Sequence, residues 1–180
     1  MTTAYLALGS NLGNREANLR MAISAVTRMC RVLAVSSLYE TDPVPAGQPA
    51  FYNAAVAIET GLEPLSLLRF LKAIEEEVGR RPGGERNGPR PIDIDILFYG
   101  DETFEDKRLT IPHPRLAERP FVLVPLAEIT ADAKHPTLAK TVAGLARAAG
   151  DKDVRRVREP GWEAAATTET LPAMRRGPAV

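Results

Sequence analysis

The five residues Ile92-Asp93-Ile94-Asp95-Ile96 alternate strictly between a large apolar side chain and a carboxylate. A helical period of 3.6 would scatter both sets around its surface. A strand period of two sorts them, sending the isoleucines into a core and both aspartates out of the other face. The two aspartate Cα atoms would then stand roughly 6.5–7 Å apart. Carboxylates this close repel each other, and aspartate is disfavoured in strands. Such a strand either shows an acidic face to water or holds a cation. Magnesium suits the second reading, because it takes one or two carboxylates and completes its shell with phosphate oxygens and water.

The residues just upstream favour the cation. Gly79-Arg80-Arg81-Pro82-Gly83-Gly84-Glu85-Arg86-Asn87-Gly88-Pro89-Arg90-Pro91 carries four arginines on a Gly/Pro-rich loop that feeds the acidic strand. Arginine forks match phosphate oxygens bidentately. A loop of this composition can close over a ligand and exclude water. A solvated connector would have the same composition, so the argument rests on adjacency. Carboxylates for a metal beside arginines for phosphate describe a metal–polyphosphate site.

The rest of the pattern supplies a fold. Ala4 to Leu8 is a short apolar run stopped by Gly9-Ser10-Asn11, which predicts a buried strand. Asn14 then caps a helix whose apolar positions are Leu19, Ala22, Ile23, Val26 and Cys30. Val32 to Thr41 predicts a second strand and Phe51 to Glu59 a third. Pro64 opens a helix with Leu67, Leu71, Ile74 and Val78 on one face, and Gly79 closes it. Ile92 to Tyr99 is the fourth strand. The order β-α-β-β-α-β predicts an α+β, ferredoxin-like fold with helices on an antiparallel sheet. A small strand pair is expected between Tyr99 and Ile111, turning around Asp101-Glu102. Helices are expected over Pro120 to Ile129 and Leu138 to Ala149. Residues 1–150 should form one catalytic domain, and residues 151–180 an extension whose last 20 or so are poorly ordered.

Composition narrows the function. At 180 residues, 44% hydrophobic, the chain suits one globular domain. A net charge of zero gives no global attraction for nucleic acid or an acidic membrane. One cysteine, no signal-like start and no apolar stretch of about 20 residues point to a cytoplasmic protein. A monomer acting on small molecules, with neither nucleic-acid nor membrane partners, is expected. Gly9-Ser10-Asn11-Leu12-Gly13 follows a strand but lacks the lysine of a phosphate-binding P-loop, and no dinucleotide fingerprint occurs.

Two further constellations are chemically suggestive. His113 lies between Pro112 and Pro114, stiffened for hydrogen bonding or proton transfer, or simply a loop histidine; His135 reads as surface. Phe51 and Asn53 share a strand face, an aromatic plate beside an amide, which suits a flat heterocycle or equally a core Phe next to an edge Asn.

Taken in order, Ala7-Leu8-Gly9-Ser10-Asn11-Leu12-Gly13, Phe51-Tyr52-Asn53-Ala54-Ala55, Gly88-Pro89-Arg90-Pro91-Ile92-Asp93-Ile94-Asp95-Ile96-Leu97, Leu109-Thr110-Ile111-Pro112-His113-Pro114 and Arg119-Pro120-Phe121-Val122-Leu123-Val124-Pro125-Leu126 resemble the 6-hydroxymethyl-7,8-dihydropterin pyrophosphokinase family of folate biosynthesis. The resemblance implies transfer of a pyrophosphoryl group from ATP, as co-substrate, to the dihydropterin alcohol. It places Asp93 and Asp95 on two Mg²⁺ ions. It implies Arg80, Arg90 and His113 as catalytic groups, and Glu75, Ile96, Arg108, Thr110 and Arg119 around ATP. Phe51 and Phe121 would sandwich the pterin, Asn53 would bind its amide-like edge, and backbone near Thr41, Pro43 and Val44 would meet the same edge. The arginine-rich loop is a moving lid in that family. The chain departs from the family pattern at Pro82, Asn87 and Pro114. Residues alone leave two rivals: a magnesium-dependent nucleotidyltransferase or nuclease, and a ferredoxin-like RNA-binding module.

Overall fold

The structure is a computed structural model describing residues 1–83 and 88–164. Its elements are β1 (Thr2–Ser10), α1 (Arg15–Val26), β2 (Arg31–Val35), β3 (Leu38–Thr41), β4 (Phe51–Thr60), α2 (Pro64–Val78), β5 (Asp93–Tyr99), β6 (Phe104–Asp106), β7 (Leu109–Ile111), α3 (Pro120–Thr130), α4 (Val142–Ala149) and β8 (Val154–Arg158). The main sheet runs β5-β1-β4-β3-β8, with β2 also on β4, and every pairing is antiparallel. With β2 and β3 counted as one bent strand, the first four strands take the ferredoxin-like order expected from the sequence.

Local signals place the helices as read. The Asn14 side chain accepts the Ala17 N–H and starts α1. Pro64 occupies the first turn of α2, and Gly79 ends it at φ 116°, a left-handed conformation that a side chain would strain. Both helices press on one face of the sheet, where Leu6, Leu8, Leu19, Ile23, Ile58, Leu67, Leu71, Ile74, Ile94 and Ile96 form the main core. On the opposite face α3 and α4 enclose a second core of Ala55, Leu97, Phe98, Leu116, Leu123, Leu126 and Leu145.

Four expectations need correction. The strand read from Val32 to Thr41 breaks at Ser36-Ser37 into β2 and β3. The buried Ser36 hydroxyl accepts the Ala55 N–H, while the Glu128 carboxylate on α3 accepts the Ser37 N–H, the Ser37 hydroxyl and, at 2.7 Å, the Tyr39 hydroxyl. Side-chain hydrogen bonds thus replace ladder bonds and bend the strand. The strand pair turns at Lys107-Arg108, beyond Asp101-Glu102. The last long helix begins at Val142, because residues before it form a tight turn in which the His135 N–H donates to the Lys140 carbonyl. His135 itself is 7% exposed, edge-on to Phe98 at 5.7 Å, with Nδ1 accepting the Thr137 and Leu138 N–H groups.

The packed structure also continues past the boundary expected at Gly150. β8 extends the sheet beside β3, and Trp162 is 5% exposed in the main core, its indole N–H donating to the Ser36 carbonyl at 2.9 Å. Residues 165–180, most of the tail expected to be poorly ordered, lie outside the described residues. Among the described residues no helix is long and apolar enough to cross a membrane. Trp162→Ala should lower unfolding stability by about 3 kcal/mol in urea titration, as expected for a buried large aromatic; a loss within about 0.5 kcal/mol, the range of an ordinary surface change, would remove Trp162 from the core.

Candidate active site

The site is built where the second face of the sheet meets the start of α3. On the central strand β1, Gly9 pairs with Asn53 of β4 on one side and with Asp93 of β5 on the other. Asp95 pairs with Ala7. Strand alternation therefore puts both aspartates, Gly9 and Asn53 on one face, while Ile94 and Ile96 enter the opposite core. The alternation seen in the sequence is the alternation in space. It ends at Leu97, where a bulge against Tyr5 and Leu6 shifts the register and returns Phe98 to the α3 side.

The two aspartates have different electrical surroundings. Asp93 receives Arg80 at 2.6 Å and Arg90 at 3.1 Å. Burial alone would raise the Asp93 carboxyl, but the charges of Arg90 and Arg80 outweigh it and hold the group below its ordinary value. Asp95 has only His113 Nε2 at 3.7 Å and Arg119 at 3.9 Å. Burial, then the neighbouring charge of Asp93, push the Asp95 carboxyl above the usual range. His113 is driven the other way: burial outweighs the attraction of Asp95 and lowers its value, favouring the neutral ring. Asp95 is thus a carboxylate short of positive charge. Two hard oxygen donors, one of them under-neutralised, fit a magnesium ion that draws its remaining ligands from phosphate and water.

The strand carrying them is an edge strand, and its outer side is held by side chains and a loop. Glu75 of α2, 2% exposed, accepts the Ile94 N–H at 2.7 Å, between the two aspartates. The same carboxylate accepts from Lys72 at 2.9 Å and from Arg80 at 3.0 Å. Burial pushes the Glu75 carboxyl up, and Lys72, the Ile94 N–H and Arg80 offset only part of that. Further along, the His113 N–H donates to the Leu97 carbonyl at 3.0 Å and fixes the loop bearing the imidazole.

On the β4 side, Asn53 is buried and its amide N–H donates to the Thr41 hydroxyl at 2.6 Å. Phe51 and Phe121 are half-buried, each with an arginine near its ring: Arg90 at 5.4 Å and Arg119 at 5.6 Å. Pro43 is half-buried and Val44 is 73% exposed, on the loop following β3. A cavity of about 650 Å³ opens between α2 and the arginine-rich loop, lined by Leu12, Lys72, Glu75, Arg80, Arg81 and Arg90 among others.

Other expected residues stand further off. The Ile96 side chain is buried in the main core, so only its backbone faces a ligand. Arg108 sits at the hairpin tip, paired with Asp106 at 2.9 Å, and Thr110 is exposed on β7. Arg86 and Asn87 of the expected lid lie outside the described residues.

Three organising residues escaped the sequence reading. Lys72 ion-pairs with Glu75, one turn ahead on α2, a spacing that was visible. Gly9 was read as a strand terminator. Asn11 was read as part of a turn, yet it is buried and ties two loops together: Oδ1 accepts the Arg90 N–H at 2.8 Å, while Nδ2 donates to Gln48 and to the Pro49 carbonyl.

The sequence model of the family described as 7,8-dihydro-6-hydroxymethylpterin-pyrophosphokinase matches residues 5–131. The 2-amino-4-hydroxy-6-hydroxymethyldihydropteridine pyrophosphokinase of Bacillus subtilis is 48% identical over 142 residues, which cover 77% of this chain and 84% of that protein. Its namesake from Haemophilus influenzae is 45% identical, covering 76% and 86%. The folic acid synthesis protein fol1 of Pneumocystis carinii is 42% identical over 85% of this chain, and the match spans only 21% of that longer protein. Among solved structures, wild-type HPPK-DHPS of Plasmodium falciparum superposes with a TM-score of 0.70 at 21% identity, over 87% of this chain and 47% of that one, which supports the fold. The chain belongs to the 7,8-dihydro-6-hydroxymethylpterin-pyrophosphokinase family.

Proposed function

We propose that the chain transfers the pyrophosphoryl group of ATP to the hydroxymethyl oxygen of 6-hydroxymethyl-7,8-dihydropterin, releasing AMP, in folate synthesis. The observation that carries this reading is the row Asp93–Gly9–Asn53 across three neighbouring strands. Strands lie about 4.8 Å apart, so a carboxylate pair for a metal–triphosphate and an amide for a heterocycle face the same space roughly 10 Å apart. A nuclease or polymerase would need the aspartates but not the Asn53 amide between half-buried rings.

The transfer requires the pterin oxygen to bond to the β-phosphorus as the bond from that phosphorus to the α,β-bridging oxygen breaks, the electron pair leaving with AMP. The hydroxyl proton is lost in the course of the step. Catalysis here is alignment and charge stabilisation. Asp93 and Asp95 would hold two magnesium ions, which supply charge neutralisation on the phosphate oxygens when bound. Arg80 and Arg90, now spent on Asp93, are placed to turn to phosphate once a cation takes over that carboxylate. His113 and Arg119 approach from the Asp95 side, where a donor hydrogen bond or a full positive charge would stabilise the transferring group. Phe51 and Phe121 supply flat apolar surface for the ring, and Thr41, Pro43 and Val44 lie beside the Asn53 end of it. Arg108, Thr110 and the Ile96 backbone are assigned to the nucleotide.

Measuring AMP from ATP with and without the dihydropterin alcohol tests the reaction and its products. Pterin-dependent AMP is expected; pyrophosphate or oligonucleotide products would replace this reading by a nucleotidyltransferase or nuclease. Asp93→Asn and Asp95→Asn should each lower kcat at least about 100-fold with the fold retained, and a variant keeping a tenth of wild-type activity would contradict the metal role. Protons compete with magnesium at these carboxylates. Because the Asp95 carboxyl lies above its ordinary value, magnesium affinity should fall as pH drops through that raised value and level off above it. Magnesium titrations of ATP-analogue binding at a series of pH values check this, and a flat profile would refute it.

A further inference from the structure

Asn53 is identified above as the amide that meets the substrate ring, but an amide can present either its oxygen or its NH₂. The structure shows what decides between them. Asn53 Nδ2 donates to the buried Thr41 hydroxyl at 2.6 Å, from the strand directly paired with it. Oδ1 is left over Gly9, and no hydrogen bond among the described residues engages it. A Cβ built on Gly9 would stand 2.9 Å from that oxygen and 3.5 Å from Cδ1 of Phe51. Gly9 lies in an ordinary extended strand, so its missing side chain matters for space and not for backbone conformation.

We infer that Thr41 and Gly9 are specificity-determining residues: the Thr41 hydroxyl fixes the Asn53 amide so that its oxygen faces the substrate, and bare Gly9 leaves room for it there. The pocket therefore selects a heterocycle presenting N–H donors at this edge, such as a 2-amino-4-oxo pyrimidine ring. A 2-oxo analogue, which replaces the amino donor with an acceptor, is turned away by lone-pair repulsion and by leaving Oδ1 unsatisfied. Thr41 acts through Asn53 and is a positioning residue. Its hydroxyl joins the backbone contact expected near Thr41, and the inference rests on the pterin reading of the site.

The test is the ratio of dissociation constants for 6-hydroxymethylpterin and its 2-oxo analogue. Both are titrated calorimetrically into the full chain with magnesium and a non-hydrolysable ATP analogue present. Wild type should prefer the amino ring. Thr41→Val, which removes the hydroxyl and frees the amide to turn over, should lower that preference about tenfold. Thr41→Ser should restore it to within about threefold of wild type, since the hydroxyl is kept. Gly9→Ala should weaken binding of the amino ring about tenfold, with the affinity for the ATP analogue changed less than about twofold. Equal thermal unfolding of the variants separates these effects from loss of fold. An unchanged ratio in Thr41→Val with unchanged amino-ring binding in Gly9→Ala overturns this inference alone. Failure of wild type to bind either ring overturns the pterin reading and this inference with it.

Discussion

The buried carboxylate of Glu75 is the contact on which the site depends. It reaches from α2 to the outer edge of β5 and takes the Ile94 N–H at the one position flanked by both aspartates. An edge strand otherwise lacks partners on that side and is free to fray or shift. A shift of one residue would turn Asp93 and Asp95 into the main core and Ile94 out of it. Burying the Glu75 charge is costly in itself, by several kcal/mol for an unpaired ion. Lys72 and Arg80 provide the compensating charge, and Arg80 continues to Asp93. One buried anion thereby fixes the metal-bearing strand, the first arginine of the loop and the end of α2 together.

Asn11 does the corresponding work on the other side of the site. It receives the Arg90 N–H, closing the far end of the arginine-rich loop, and reaches Gln48 and Pro49 on the loop beside the ring pocket. The nucleotide and ring subsites are therefore joined through β1, whose Gly9 separates Asp93 from Asn53 in a single row. Rigid strands set that spacing, while the groups that must respond to charge, Arg80, Arg90, His113 and Arg119, sit on loops or element ends. In-line phosphoryl transfer needs a fixed acceptor and cations that can redistribute, and this division of labour supplies both.

Most of this was legible where local chemistry and tertiary structure agree. The Ile/Asp alternation gave strand, face and metal pair at once, because a period of two has one physical solution. Asn14, Pro64 and Gly79 marked helix ends through hydrogen bonds and backbone angles that are local in sequence. What stayed hidden depends on partners far along the chain. The break at Ser36-Ser37 is made by Glu128, some ninety residues away, so Val32 to Thr41 read as one strand. Trp162 and β8 looked like tail because a short Arg-rich strand carries little apolar periodicity, and only β3 and the core give it a place. His135 looked like a surface residue among polar neighbours, although Phe98 covers its ring. Gly9 and Asn11 carried turn signals that concealed their roles, since a missing side chain and a cross-loop amide have no periodicity to detect.

The central claim is that Asp93 and Asp95, held in register by Glu75, bind two divalent ions together with the triphosphate. Manganese, substituted for magnesium, can be counted by electron paramagnetic resonance during titration with a non-hydrolysable ATP analogue. Two tightly bound ions per chain are expected in the ternary complex of the wild-type protein, falling to one or none in Asp95→Asn and weakened in Glu75→Gln. Two ions bound with unchanged affinity in Asp95→Asn would show that the metal–triphosphate is held elsewhere, and would contradict this account.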